Sequence, residues 1–117
     1  MTEINKDRSI GVKAMPKVCC TQMVHFGENI RLARTRRKIR QEDMAKRIAI
    51  SVKTYRKIES GDPTVAIGLY ASALFMLNIS DDFSSLADPA NDRIGLSMER
   101  RNMSERIRLK KDKELDF

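Results

Sequence analysis

The chain is poor in the residues that build disulfide and metal sites. Its 117 residues include two cysteines, one histidine and no tryptophan. The cysteines are neighbours, Cys19 and Cys20, and adjacent cysteines do not join distant elements, so a disulfide framework is excluded. One histidine and two cysteines are too few to supply a closed four-ligand zinc site. We therefore expect no metal or other cofactor, and a reducing cytoplasm as the location.

Long apolar runs and aromatic residues are scarce as well. The chain has no apolar run of about 18 residues, the length that spans a membrane, and residues 1–13 lack the apolar stretch of a secretory signal. Aromatic residues make up 5% of the chain, too few to form the stacking platforms that single-stranded RNA needs. No nucleophile–base pair, paired carboxylates or glycine-rich phosphate loop is evident, so we do not expect an enzyme.

Positive charge is concentrated in one part of the chain. Residues 31–57 hold eleven basic and two acidic residues, a net charge of +9, whereas the rest of the chain carries −2. Residues 58–92 contain six acidic residues and no Lys or Arg. A basic face of this kind predicts a polyanionic partner, and a basic surface that contacts only solvent is the alternative.

Apolar spacing predicts an all-α architecture of four or five short helices. We expect Ser51 to cap the third helix and Gly61 and Pro63 to end it. Gly68, inside the fourth helix, indicates close packing by a neighbour. The predicted helices cover residues 26–38, 41–49, 52–59, 64–77 and 83–87. The predicted core consists of Ile30, Ala33, Met44, Ala45, Ile48, Tyr55, Ile58, Leu69, Ala73, Leu74 and Leu77.

Residues 41–61 have the spacing of a short helix, a tight turn and a second helix. Ala45 is small where two helices cross, and Ile50 supplies an apolar side chain at the turn. Ser51 caps the second helix, and Ile58 faces inward. This layout is typical of a helix-turn-helix, whose second helix enters the major groove of DNA by its N-terminal end.

The stretch from about Phe26 to Leu86 resembles the Cro/C1-type, or XRE, helix-turn-helix domain, which is lambda repressor-like in fold. The resemblance implies a compact all-α domain of four to five helices. Two positions depart from the family. Arg40 stands where a capping Ser or Thr is usual, and Tyr55 replaces a smaller aliphatic, so its hydroxyl needs a partner. The matching residues are Arg34-x-x-Arg37, Gln41, Ala45, Ser51 and Ile58-Glu59-x-Gly61.

The resemblance implies two sets of DNA contacts. Glu59 belongs to neither, and we expect it to bond to Arg34 within the domain. A surface position without a DNA contact is the alternative for each basic residue, and Arg56 fits either set. The implied base contacts come from Val52, Lys53, Arg56 and Lys57. The implied phosphate contacts come from Gln41, Ser51, Arg40, Arg37 and Lys38.

Residues 81–111 are similar to the tail of HipB-type antitoxins, which are XRE repressors that pair with HipA-type kinase toxins. This resemblance implies a repressor that binds a palindromic operator as a homodimer, represses its own operon and binds a toxin. The alternative is a stand-alone XRE-family regulator without a toxin partner. The matching pieces are Leu86-Ala87-Asp88-Pro89, Asp92, Ile94-Gly95-Leu96 and the basic run from Glu99 to Arg108.

A surface for a second copy or another partner is predicted next to the acidic region. Its apolar side chains exceed what one small core is expected to hide. The predicted surface consists of Phe75, Met76, Ile79 and Phe83.

The chain is predicted to have three parts. We expect residues 1–25 to form a flexible N-terminal arm and residues 26–88 to form the helix-turn-helix DNA-binding domain. Residues 89–117 are expected to form a flexible charged tail. Within that tail, a short strand around residues 96–103 and a partner-binding segment both remain open, and residues 110–117 are expected to be disordered.

Overall fold

The computed structural model describes residues 10–115, and each regular element in this range is a helix. The predicted all-α class is therefore confirmed for this part of the chain. Residues 10–13 are also helical. The elements are α1 (Lys17–Arg36), α2 (Gln41–Arg47), α3 (Val52–Glu59), α4 (Ile67–Met76), α5 (Ser80–Ser84), a 3₁₀ helix (Pro89–Asn91) and α6 (Arg93–Leu115). The chain divides into two units, and the boundary along the chain falls between Phe83 and Ser84.

The first unit is built around one apolar core. Most of the predicted core residues are buried, while Ala33, Ile48 and Leu69 are only partly buried against it. Tyr70 was not predicted, and its ring stacks on Phe26 with a centroid distance of 5.3 Å. The buried residues are Ile30, Met44, Ala45, Tyr55, Ile58, Tyr70, Ala73, Leu74 and Leu77.

The first helix begins earlier than its sequence indicates. The predicted flexible arm is wrong for residues 17–25, because α1 starts at Lys17, directly after Pro16. Proline fixes a backbone angle that suits a helix start. Met23 and Phe26 then pack against the core, so burial stabilises turns that have little apolar periodicity of their own. The part of the predicted arm in residues 1–9 lies outside the described range.

Two glycines allow α1 to approach the end of α3. Gly27 lies in the middle of α1 rather than at a helix start, and it is buried. A Cβ atom on Gly27 would lie 2.5 Å from the backbone nitrogen of Gly61 and 2.6 Å from the carbonyl oxygen of Glu59. Gly61 itself has a φ of 73°. These contacts leave no room for a side chain at either position.

Helices α1 to α4 end in the same backbone motif. After α3, the Gly61 N–H donates to the Ile58 carbonyl and the Asp62 N–H donates to the Lys57 carbonyl, which is the Schellman arrangement. The prediction that Gly61 ends this helix is therefore confirmed. The same pair of bonds follows the other three helices, whose residues of positive φ are Lys38, Ala49 and Asn78.

The boundaries of α4 and α5 differ from the prediction. The Asp62 carboxylate accepts hydrogen bonds from the Thr64 N–H and hydroxyl, at 2.8 and 2.6 Å. This turn delays the start of α4 to Ile67. Helix α5 spans Ser80–Ser84 rather than residues 83–87. Its first turn contains acidic residues, which the positive end of the helix dipole stabilises. The predicted close packing at Gly68 is wrong, because a Cβ there would meet no atom within 4 Å.

The second unit consists of the 3₁₀ helix and α6. The Asp88 carboxylate accepts from the Ala90 N–H, and the Asp92 carboxylate accepts from the Gly95 N–H, each at 2.9 Å. The predicted short strand is wrong, because residues 96–103 lie within α6, and the predicted disorder is wrong for residues 110–115. Most residues of α6 are Arg, Lys, Glu, Leu, Met and Ser. The first five of these have high helix propensity.

Alanine substitutions at two glycines are expected to have opposite effects on stability. Gly27→Ala forces α1 away from backbone atoms of the α3 end, so we expect a loss of about 2 kcal/mol in the free energy of unfolding, typical of overpacking. Gly68→Ala meets no neighbour and removes a flexible residue from α4, so we expect a gain of about 0.5 kcal/mol. Urea denaturation of the two variants tests both signs. A stable Gly27→Ala protein would contradict the close approach.

Candidate nucleic-acid interface

Helices α2 and α3 are joined by a turn of four residues, 48–51. Met44 and Ala45 are buried where α2 meets the core. The Ile50 N–H donates to the Ala45 carbonyl at 3.0 Å. The Ser51 hydroxyl accepts from the Thr54 N–H at 3.1 Å, which confirms the predicted cap of α3. The turn is therefore fixed by a backbone hydrogen bond on the α2 side and by the Ser51 side-chain cap on the α3 side.

Helix α3 has two distinct faces. Tyr55, Ile58 and Glu59 are buried on one of them. Three of the four predicted base-contact residues, Lys53, Arg56 and Lys57, are exposed on the other. The fourth, Val52, is partly buried and packs against the core, so only part of its side chain faces outward.

The Glu59 carboxylate holds three helices together. One oxygen accepts from Arg34 Nε on α1 at 2.6 Å and from the Tyr55 hydroxyl on α3 at 2.5 Å. The other accepts from Arg34 Nη2 at 3.1 Å and from Gln41 Nε2 on α2 at 2.9 Å. The predicted Arg34–Glu59 bond is thus confirmed, and the Tyr55 hydroxyl has the partner that it needs. The side chain of Glu59 is only 5% exposed.

This network changes the acidity of its members. Burial raises the pKa of the Glu59 carboxyl, but the hydrogen bonds from Arg34, Tyr55 and Gln41 outweigh burial and hold that pKa below its ordinary value. Burial, together with the hydrogen bond to Glu59, raises the pKa of Tyr55 well above its usual range. Glu59 is therefore a stable anion in the folded protein, and Tyr55 stays a neutral donor.

Gln41 connects the buried carboxylate to the exposed face of α3. Its Nε2 donates to Glu59, and its Oε1 accepts from Arg56 Nε at 3.2 Å. An amide nitrogen carries two hydrogens, so one donor of Gln41 remains for a phosphate. Arg56 likewise keeps its other guanidinium N–H groups. Sequence reasoning missed this link, because Gln41 and Arg56 are fifteen residues apart and belong to different helices.

The other predicted phosphate contacts surround the start of α2 and the end of α1. Arg37, Lys38 and Arg40 are exposed. Arg37 donates to the Ala33 carbonyl at 2.8 Å, and Arg40 forms an exposed ion pair with Asp43 at 3.3 Å. Arg40 makes no capping hydrogen bond to α2. The Ser51 hydroxyl donates to Thr54 Oγ1, so an anion near Ser51 would meet the free N–H groups of the first turn of α3.

The predicted dimer surface is only partly exposed. Met76, Ile79 and Phe83 pack against the core of the first unit, whereas Phe75 is 66% exposed. Phe75 lies beside a groove whose other lining residues include Arg47, Ala71 and Ser72. The core therefore hides more of this apolar set than composition indicates.

The described residues contain neither a metal-binding cluster nor a membrane-spanning helix. No group of three or more His, Cys, Asp and Glu side chains in this range is arranged to hold a metal ion. Within the same range, no helix combines the length and the apolar character that a membrane crossing requires.

Comparison with known proteins identifies a helix-turn-helix. A family model of that description matches residues 30–68, which run from the middle of α1 to the start of α4 and make up a third of the chain. This region contains the α2–turn–α3 pair and the Glu59 network. It therefore carries a helix-turn-helix of the type found in DNA-binding regulators. Searches of curated proteins and of solved structures each found no match.

Removing the Glu59 carboxylate is expected to destabilise the first unit. Glu59→Ala leaves the Arg34 guanidinium, which is 12% exposed, without its anion, so we expect a loss of about 3–5 kcal/mol in the free energy of unfolding. Glu59→Gln keeps the size and shape of the side chain, so its loss in the free energy of unfolding should be smaller. Glu28→Ala removes the carboxylate of the exposed Arg31–Glu28 pair and serves as the control. Equal stability losses in the Ala variants at 28 and 59 would contradict the role of the network.

Low pH is expected to remove the contribution that the Glu59 carboxylate makes to folding stability. Its pKa in the folded protein lies below the ordinary value of 4.5. The stabilisation is therefore complete above about pH 4.5 and is lost as the pH falls through the lowered folded value. We expect the stability difference between the wild type and Glu59→Gln to be constant from pH 7 to 5 and to shrink below pH 4.5. A pH series of urea denaturation curves measures this, and a gap unchanged at pH 3 would contradict it.

Proposed function

We propose that this protein is a sequence-specific DNA-binding transcriptional regulator that reads the major groove with α3. The observation that carries the proposal is the two-faced structure of that helix, whose buried face is fixed by Glu59 while its exposed face carries three cations. A helix of this kind, held rigidly behind a tight turn, satisfies the geometric requirement for base readout.

Base contacts are proposed for the exposed face of α3. Lys53 and Lys57 are four residues apart, so they lie on one side of the helix, and lysine favours the O6 and N7 acceptors of guanine. The outward part of Val52 suits a thymine methyl group. Arg56 lies between these residues, and its bond to Gln41 limits the directions in which its guanidinium can point.

Phosphate contacts are proposed for the residues around α3. Gln41 and Ser51 lie at the starts of α2 and α3, where free backbone N–H groups and the helix dipole favour an anion. Arg37, Lys38 and Arg40 supply exposed cations nearby. Contacts of this type fix the position of the protein on the duplex and carry no sequence information themselves.

We further propose that the protein acts as a repressor and binds as a homodimer to a palindrome. Two half-sites would then lie about 34 Å apart, one turn of the duplex. Phe75 is the exposed apolar residue around which a second copy is proposed to pack, with Met76, Ile79 and Phe83 behind it. The proposed location is the cytoplasm, where operator DNA is accessible.

A narrower role as the antitoxin of a HipA-type kinase toxin is also proposed, with a stand-alone XRE regulator as the alternative. Its support is the resemblance of residues 81–111 to HipB-type tails. The matched helix-turn-helix region ends at residue 68, before that tail begins. The exposed apolar side chains of α6, such as Ile94 and Ile107, are proposed as the surface for this partner.

Selection from a pool of random duplexes tests sequence-specific binding. We expect the full chain to enrich one palindromic sequence. Lys57→Ala is then expected to weaken binding to that sequence by about 1–3 kcal/mol, or roughly fivefold to 150-fold, because it removes a base contact. Lys46→Ala removes the same charge from the exposed surface of α2 and should change affinity much less. A pool without enrichment, or equal losses in both variants, would contradict the proposal.

The mass of the native complex distinguishes the antitoxin from the stand-alone regulator. The chain is tagged at its own chromosomal locus, purified gently and measured by native mass spectrometry. A second polypeptide in fixed ratio, with kinase activity, supports the antitoxin. A species of twice 13.4 kDa without another protein supports a stand-alone dimer, and a monomer at working concentrations would contradict the dimer.

A further inference from the structure

Helix α6 carries one face that consists almost entirely of hydrogen-bond donors. Successive residues of an α-helix are rotated by about 100° around its axis, so each residue of α6 has an angular position relative to Ile94 at ~0°. The positions from ~240° to ~340° hold five basic residues, two serines and Leu115, and they hold no acidic residue. We call this set the basic stripe. It comprises Arg93, Ser97, Arg100, Arg101, Ser104, Arg108 and Lys111.

The basic stripe is accessible, and its cations have no side-chain partner within the described residues. Helix α6 has no buried residue. Within residues 10–115, none of the ion pairs or side-chain hydrogen bonds involves a basic residue of α6. The stripe runs from Arg93 to Lys111, a length of about 27 Å at 1.5 Å per residue. These cations are not used to hold the second unit together, so they are available to bind a ligand.

We infer that the basic stripe of α6 binds the sugar–phosphate backbone of duplex DNA, as a second contact surface apart from α3. Phosphate oxygens take hydrogen bonds from Arg, Lys and Ser side chains, and these three residue types form the stripe. Its spacing of three and four residues places the donors in one continuous row. This inference rests on the proposed function, which makes duplex DNA the partner of the chain.

The distribution of apolar side chains favours DNA over a membrane surface. A helix that lies in a bilayer interface needs one broad apolar face opposite its charges. In α6 the apolar side chains instead form two narrow strips. One strip contains Leu96, Met103 and Ile107, and the other contains Ile94, Met98 and Leu109. Acidic residues interrupt both strips, at Glu114 in the first and at Glu105 and Asp112 in the second.

A surface of this type adds affinity without sequence preference. Each phosphate that a cation neutralises releases a counterion, so the logarithm of the binding constant falls by ~0.9 per decade of salt for each contact. Because α3 and the stripe belong to one chain, binding of either raises the local concentration of the other near DNA. The stripe is therefore expected to strengthen binding to every sequence and to leave the preferred sequence unchanged.

Two triple variants of the full chain test this inference. The stripe variant is Arg100→Gln, Arg108→Gln and Lys111→Gln. The control variant, Arg106→Gln, Lys110→Gln and Lys113→Gln, removes the same charge from the same helix outside the stripe. Glutamine keeps a high helix propensity, and circular dichroism checks that helix content is equal. Binding to a labelled 30-base-pair duplex of random sequence is measured by fluorescence anisotropy from 50 to 300 mM salt.

The stripe variant is expected to bind on the order of tenfold more weakly at 100 mM salt, with a salt slope smaller by about 2 to 3. The control variant should stay within about threefold of the wild type. Equal losses in both variants would reduce the effect to net charge and overturn the inference. So would a stripe variant that binds DNA normally but no longer binds vesicles containing phosphatidylserine.

The duplex-selection experiment separates this inference from the proposed function. If a preferred sequence emerges but the stripe variant binds like the wild type, the inference that the stripe binds DNA is wrong and the proposed function stands. If no sequence is preferred but the stripe variant still loses affinity and salt dependence, the proposed sequence-specific function is wrong and the inference that the stripe binds DNA stands. The wild type should enrich the same sequence as the stripe variant, and a changed preference would also overturn the inference.

Discussion

The carboxylate of Glu59 accepts hydrogen bonds from side chains on α1, α2 and α3, and the placement of α3 depends on it. Removing a carboxylate from water costs several kcal/mol unless its oxygens are satisfied. Here both oxygens are, by Arg34, Tyr55 and Gln41. Since Gln41 also accepts from Arg56, the anion that fixes three helices also positions a cation on the surface. Stability and the proposed DNA contact therefore share one network.

How far sequence predicts this fold depends on the origin of each feature. The spacing of buried residues in α2 and α3 was predictable, because helical periodicity is a local property. The end of α3 was predictable as well, since Gly61 suits positive φ. The ends of the other three helices were predicted to within two residues, but their positive-φ turns were not. Lys38 and Ala49 carry side chains that disfavour this conformation, whereas Asn78 tolerates it better but still lacks the freedom of glycine. Each precedes an isoleucine that packs against the core, so tertiary burial offsets a local cost that sequence patterns do not include.

In the candidate site too, the features that come from local helical geometry could be predicted, and those that come from contacts between distant residues mostly could not. The outward position of Lys53, Arg56 and Lys57 follows from helical period, and the Arg34–Glu59 bond follows from the family resemblance. The contact between Gln41 and Glu59 joins residues eighteen positions apart and depends on how α2 crosses α3. The contact between Tyr55 and Glu59 did have a signal, because residues four apart in a helix are neighbours. Composition also overestimated the exposed apolar surface, since a small core of five helices accommodates most of it.

The two sets of cations differ in how the protein holds them, and this difference bears on what each set can do. Arg56 on α3 is linked to the buried Glu59 carboxylate through Gln41, and this link restricts the directions in which its guanidinium can point. The cations of α6 have no such support in residues 10–115, so their positions are set only by the helix itself. Phosphates repeat along the duplex and tolerate such freedom, because each contact depends mainly on charge. The anchored Arg56 thus suits the proposed sequence-specific contact, whereas the proposed contribution of the basic stripe to general affinity requires no buried anchor.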